Sequence, residues 1–290
     1  MLGLVRLFRE GCMSTILWWM SPRGSKMVSG SGQWALAAVV VWALAVPADA
    51  VAQDWKFELG AGVGVAPDYE GSDDYEPVPL FAAKVEKGPY FAQLNGTKLR
   101  VNVVPSDMWR AGPQLNYRFK RNNVDDDAVD DLRTVDEAWE LGLFGGFQIK
   151  NGVDKRYSLG ADLAVSKDVA NGHSGWLVDL RGKYRMPLAE KWRLGIGAGG
   201  TWADNSYMDE YFSIDADNAS RSGLRRLSAD SGIKDIGFDV NLDWAFAGNW
   251  ATSFLFKYDR LLGDAEDSPV TDDRGSANQF FGGVLVGYRW

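Results

Sequence analysis

Apolar and polar residues alternate along most of this chain. In the last eleven residues, Phe280 to Trp290 (FFGGVLVGYRW), one set holds Phe280, Gly282, Val284, Val286, Tyr288 and Trp290. The interleaved set holds Phe281, Gly283, Leu285, Gly287 and Arg289. A period of two means a strand whose successive side chains point to opposite faces. One face is apolar and ends in aromatic residues. This pattern is expected of the closing strand of an outer-membrane barrel, where lipid covers the apolar face and the first strand pairs with the free edge. The alternative is an edge strand of a soluble sandwich.

The same alternation recurs upstream. Trp55, Phe57, Leu59, Ala61, Val63 and Val65 share one face, and Val78 to Glu86 is a second, less regular strand. Tyr90 to Leu94 and Leu99 to Val103 flank Asn95-Gly96, a strong hairpin signal. Further strands are expected over 109–119, 139–149, 157–165, 176–184, 192–202, 236–246 and 250–258. Walking back from Trp290, connections alternate long and short, as external loops and periplasmic turns do in these barrels. With both termini on the periplasmic side the strand number is even. Splitting the chain at Asn95-Gly96 gives twelve strands and keeps the loops in phase, although those two strands are shorter than a tilted membrane strand usually is. The expected fold is therefore all-β: a transmembrane antiparallel up-and-down barrel of about twelve strands.

Tryptophan placement agrees. All nine Trp beyond residue 52 (55, 109, 139, 176, 192, 202, 244, 250 and 290) fall in the apolar frame, nearly all at a strand end. Indole is favoured where lipid meets water, so this is an aromatic girdle.

Residues 1–52 read as a leader and signal peptide, and 53–290 as the barrel. Trp34 to Val46 is a thirteen-residue apolar run, preceded by Arg23 and Lys26 and followed by small residues. Spanning a bilayer as a helix takes about twenty residues, so the run is a signal-peptide core. Cleavage is expected after Ala52, with Ala50 the second choice, and Met13 or Met20 is the expected translation start. The single cysteine, Cys12, lies in the leader, so the barrel has no disulfide. The whole chain carries a net charge of −8, and residues 53–290, with 27 basic and 37 acidic groups, carry −10. That balance excludes a nucleic-acid binder.

The face opposite the girdle holds both signs of charge: Glu58, Arg100, Arg110, Arg118, Glu140, Arg156, Asp162, Asp179, Arg181, Lys183, Arg185, Arg193, Asp239, Asp243, Lys257 and Asp259. In a narrow barrel these are expected to pair across strands and fill the lumen. The alternative is a small-solute pathway, in which the cationic group Arg181, Lys183, Arg185 and Arg193 favours anions.

Two stretches carry candidate chemistry. The acidic loop Asn122 to Glu137 is rich in oxygen ligands for a divalent cation. It lacks the spaced pattern of a calcium loop and reads as a solvated loop, with ion-bridged lipopolysaccharide as the variant. Asn171, Gly172, His173 and Ser174 invite comparison with barrel phospholipases and lipid A deacylases, which use a strand-borne Ser and His. Adjacent strand residues point apart and the His-x-Ser spacing is missing, so no catalytic residue is assigned. No cofactor or metal site is expected.

Three stretches carry a family resemblance. Tyr69-Glu70-Gly71-Ser72-Asp73-Asp74-Tyr75 resembles the opening motif of the MipA/OmpV family of outer-membrane proteins. Arg260-Leu261-Leu262-Gly263-Asp264-Ala265-Glu266-Asp267-Ser268-Pro269-Val270 resembles its carboxy-terminal signature, and Tyr211-Phe212 with Ser222-Gly223-Leu224 its long central loop. The resemblance implies a non-enzymatic outer-membrane barrel. It also implies a scaffold joining a lytic transglycosylase to a murein synthase, or a role in envelope maintenance; a passive pore is the alternative, and a lipid-active enzyme a distant one. Gly71, Gly263, Pro269 and their acidic neighbours are turn formers, expected to shape external loops that fold over the barrel mouth.

Overall fold

A computed structural model of the chain describes residues 55–290. The expected signal peptide and its cleavage point lie outside the described residues. Twelve strands follow one another: β1 (Trp55–Pro67), β2 (Tyr75–Lys87), β3 (Tyr90–Asn95), β4 (Lys98–Asn102), β5 (Trp109–Arg118), β6 (Ala138–Lys150), β7 (Ser158–Asp168), β8 (Trp176–Pro187), β9 (Trp192–Ala203), β10 (Gly232–Ala247), β11 (Trp250–Leu261) and β12 (Asn278–Arg289). Each pairs with its chain neighbours, β12 returns to β1, and the sheet closes. All the ladders are antiparallel. Closure satisfies every strand edge, which a hydrocarbon environment demands.

The seam runs from Glu58 opposite Arg289 to Val65 opposite Gly282. It is tied at its periplasmic end by Arg289 Nη2 to Glu58 Oε1 at 2.5 Å and by the Trp290 amide donating to the Phe57 carbonyl at 2.9 Å. The apolar frame faces outward: Val63 is 69% exposed and Leu143 68%, while Gln114, Glu140 and Asp162 on the other frame are buried. An apolar surface this continuous is stable only against lipid. Trp55, Trp109, Trp192, Trp244, Trp250 and Trp290 ring the periplasmic end, and Trp139, Trp176 and Trp202 the external end. Trp192 stacks on Trp244 at 5.5 Å, and Tyr288 packs edge-on against both Trp250 and Trp290.

The hairpin at Asn95 forms, with one adjustment. Asn95 stays in the ladder opposite Lys98, so the two-residue turn is Gly96-Thr97. Only Gly96 takes a positive φ (+57°), the requirement at the first central position of a type II′ turn.

Most expected interior charges do pair across strands. Asp162 is shared by Arg110 (2.8 Å), Arg100 (3.6 Å) and Lys183 (3.6 Å). Arg181 meets Asp239 at 2.5 Å, while Lys257 pairs along its own strand with Asp259. Arg156 departs from the expectation. The turn between β6 and β7 is longer than the alternation suggested and runs on to Tyr157, so Arg156 lies in it and pairs with Asp154 at 2.8 Å.

Glycines on the inner face let neighbouring backbone approach. A Cβ on Gly62 would lie 1.9 Å from the Val284 carbonyl oxygen across the seam, whereas one on Gly182, in the lipid-facing frame of β8, would come no nearer than 3.8 Å to the Ala198 carbonyl oxygen. Gly62→Val is therefore expected to prevent closure and abolish the heat-modifiable electrophoretic mobility of the folded barrel, while Gly182→Ala retains it. Equal behaviour of the two variants would refute the register at the seam.

Candidate functional site

The buried core of the protein lies at the external end, where the loops fold inward. The loop from β9 to β10 begins with a helix over Asn205–Phe212, capped by the Asp204 carboxylate accepting from the Tyr207 amide. A second helix, Ala216–Ser222, ends at Gly223 in the left-handed region. Short helices also form over Asp127–Asp130, Asp264–Asp267 and Pro269–Asp272. Tyr207, Met208 and Phe212 pack with Val135, Leu177, Leu261 and Ala265 in one buried cluster. Tyr69, Val129, Leu132, Ile214 and Val270 form another. These side chains come from the external loops and from the external ends of β8 and β11, so together they make a cap in the barrel mouth.

A charged clamp fastens this cap to the walls. Glu70, in the loop between β1 and β2, pairs with Lys234 of β10 and lies 3.9 Å from Arg118 of β5. Tyr207 donates to the same carboxylate at 2.5 Å. Arg118 bonds Glu140 of β6 at 2.9 Å and lies over the rings of Tyr207 (5.2 Å) and Tyr211 (5.6 Å). Lys234 also meets Asp235 at 2.6 Å. A β-bulge explains this last pair: Ile233 faces Trp202 and Asp235 faces Thr201, so Lys234 is the extra residue. The bulge turns two consecutive charged side chains inward. Strict alternation would have sent Lys234 to the lipid, which is why the sequence did not reveal it.

The burial of Glu70 works to raise its carboxyl pKa. Lys234 and Arg118, with the hydrogen bonds from Lys234 and Tyr207, outweigh that effect and hold it at about 2. Burial drives the Tyr207 hydroxyl in the opposite direction, well above its usual value, so it stays a proton donor.

His173 belongs to the same network. The Gly175 amide donates to Nδ1 at 3.1 Å, which leaves the ring proton on Nε2, and Nε2 donates to Glu140 Oε1 at 3.3 Å. The ring packs edge-on to Tyr207 at 4.8 Å. Its loop is fastened by Asp168, whose carboxylate accepts the amides of Ala170, His173 and Ser174 at 2.9 Å each. Those bonds support Asn171 and Ser174 in the left-handed region. Both nitrogens of His173 are thus engaged away from the Ser174 hydroxyl, and the two residues make no nucleophile–base pair.

In the acidic loop, Asp126 caps its helix and pairs with Arg274 at 2.7 Å, and Asp130 accepts the Val124 amide. Among the described residues no three carboxylate, imidazole or thiolate groups gather where they could hold a metal ion.

The motifs of the first and last external loops lock into each other. The Gly71 amide donates to Gln279 Oε1 (3.2 Å), and Gln279 Nε2 donates to the Ser72 carbonyl (3.0 Å). The Ser276 amide donates to the Gly71 carbonyl at 2.8 Å. Gly71 has φ +102°, and a Cβ there would sit 2.6 Å from Thr271 Oγ1. Ser268 donates to the Phe212 carbonyl (2.7 Å), joining this pair to the long central loop. The turn reading of Gly71, Gly263 and Pro269 is realised in loops that fold over the mouth.

The family model of the MltA-interacting protein MipA matches residues 59–290. The chain belongs to this family. MipA-family proteins are outer-membrane proteins, and this barrel is one of them. The MltA-interacting proteins of Escherichia coli (strain K12) and Shigella flexneri are each 22% identical over 249 residues, covering 79% of this chain and 89% of theirs. Among solved structures, an outer membrane channel from Pseudomonas putida F1 aligns with a TM-score of 0.40 at 13% identity, over 84% of this chain and 99% of that one. The translocator domain of the autotransporter NalP from Neisseria meningitidis aligns with a TM-score of 0.38 at 13% identity, over 89% and 96%.

Removing the charge of Glu70 leaves Lys234 with Asp235 and Arg118 with Glu140 as their remaining acids in the MipA-family cap. Glu70→Gln is expected to destabilise the docked loops by about 1.5–3 kcal/mol, seen as faster trypsin cleavage after Arg225 and Arg226. In the intact protein the carboxyl ionises more readily when docked than at its usual value of 4.5. Its stabilisation is therefore complete above about 4.5 and lost as the pH falls toward about 2. Loop protection that stays flat across that window would refute the clamp.

Proposed function

We propose that this MipA-family barrel is a non-enzymatic scaffold, which holds a lytic transglycosylase and a murein synthase against the inner surface of the outer membrane. The observation that carries the reading is the family match, together with relatives named for interaction with MltA. The geometry supports it from two sides. The external loops are occupied with one another and with the barrel walls, and the only histidine is committed to the structural network. The periplasmic turns face the murein. The turn between β6 and β7 is the longest of them and carries Val153 at 98% exposure, an apolar side chain available to a partner.

Two further elements belong to the proposal. Residues 1–52 direct export and are removed, leaving Gln53 as the amino terminus. Outer-membrane lipid and lipopolysaccharide surround the barrel.

Purified barrel, residues 53–290, is expected to retain both murein enzymes in a pull-down and to retain less of them as Val153→Asp. Retention of neither enzyme would overturn the scaffold reading. Hydrolysis of detergent-dispersed phospholipid that disappears in His173→Ala would overturn its non-enzymatic part. Mass spectrometry of the mature amino terminus tests the cleavage point.

A further inference from the structure

The periplasmic half of the lumen is built differently from the external half. A cavity of about 450 Å³ opens there, lined by Lys150, Lys155, Arg156, Arg185, Arg193 and Asp154 among others. It places five cations around one carboxylate in a barrel whose residues 53–290 carry a net charge of −10. The single carboxylate, Asp154, is already paired with Arg156. Lys150, Arg185 and Arg193 also line the neighbouring lumen, a space of about 500 Å³ whose wall carries Glu58, Glu86, Asp107, Asp239 and Asp243 as well.

Arg185 and Arg193 are the informative pair. Deeper in the lumen most long cations have an acid: Arg181 has Asp239, and Arg100, Arg110 and Lys183 share Asp162, whereas Lys98 of β4 has none among the described residues. Among the described residues, neither Arg185 nor Arg193 is in an ion pair, and both are exposed to the lumen. Arg193 stands opposite Asp243 in the ladder, yet the Asp243 carboxylate takes its hydrogen bond from Ser253 at 2.6 Å. Like charges held together between low-dielectric walls repel each other, and Asp243, which lines the same lumen, forms an ion pair with neither arginine among the described residues. Two guanidinium forks left open toward one cavity match the geometry of carboxylate and phosphate oxygens.

We infer that this cup binds a small multivalent oxyanion, a polycarboxylate or a phosphate ester, entering from the periplasm. Because the external mouth is filled by the cap, the cup is a dead-end binding site. The two arginines carry recognition, and Lys150 and Lys155 raise the local concentration of anions at its rim. The inference does not depend on the scaffold reading, since binding to the cup and capture of murein enzymes are measured separately.

The test is calorimetric titration of folded barrel, residues 53–290 in a non-ionic detergent at about 150 mM salt, where surface attraction is largely screened. Citrate and pyrophosphate are the probes, and the stronger of the two identifies the source as carboxylate or phosphate. The wild type is expected to bind at least one of them at a single site. Arg185→Gln with Arg193→Gln should weaken that binding about tenfold or more, while Asp154→Asn strengthens it. Should the double variant fail to show folded mobility, Arg185→Lys keeps the charge, loses the fork, and is expected to bind more weakly than wild type. Wild-type barrel that binds neither probe, or folded variants that bind as well as wild type, would overturn the proposal.

Discussion

A single carboxylate reaching across the barrel holds the external half of this protein together. Glu70 arrives on the first external loop and finds Lys234 from one wall and Arg118 from another, with the Tyr207 hydroxyl completing its shell. Charges taken out of water are stable only when every lone pair and proton has a partner. Here the partners come from β5, β10 and the central loop, so satisfying one group fixes three segments. Ordering loops of this length costs conformational entropy. The apolar clusters around Phe212 and Val270 offset that cost, and the charges decide which arrangement those clusters adopt.

The seam and the cap are coupled. Gln279 lies at the start of β12, beside the last strand pairing, and bonds both Gly71 and Ser72 from the loop after β1. Two segments about two hundred residues apart in the chain thus meet at the external end of the closing ladder. Arg289 and Glu58 tie its other end. A cap docked in this way also stabilises closure, and an open seam would leave the first-loop motif without its partner.

The frame of the barrel was legible because lipid and lumen impose a strict alternation, and Trp marks the ends of the strands. Twelve strands, their order and the outward face follow from residues such as Val63, Leu143 and Trp202. The charges of the inner wall were legible as a set, but their pairing was not. Closing the sheet brings Arg118 to Glu70, and no local pattern announces that meeting. Lys234 was hidden by a bulge that breaks the very period used to read the strand, and Arg156 by a turn that runs on to Tyr157. The cap helices escaped because segments such as Asp264–Asp267 are a single turn long and carry no helical repeat of their own.

These features describe a barrel with two different ends. The external mouth is filled by loops that bind one another, and the periplasmic half keeps a water-accessible, cation-rich lumen. A MipA-family protein built this way faces the murein with its open end and presents a closed one outside. The most direct measurement is planar-bilayer recording of the unmodified barrel, residues 53–290, near neutral pH. A clamped cap predicts no opening steps above leak, whereas discrete, reproducible single-channel steps would contradict it.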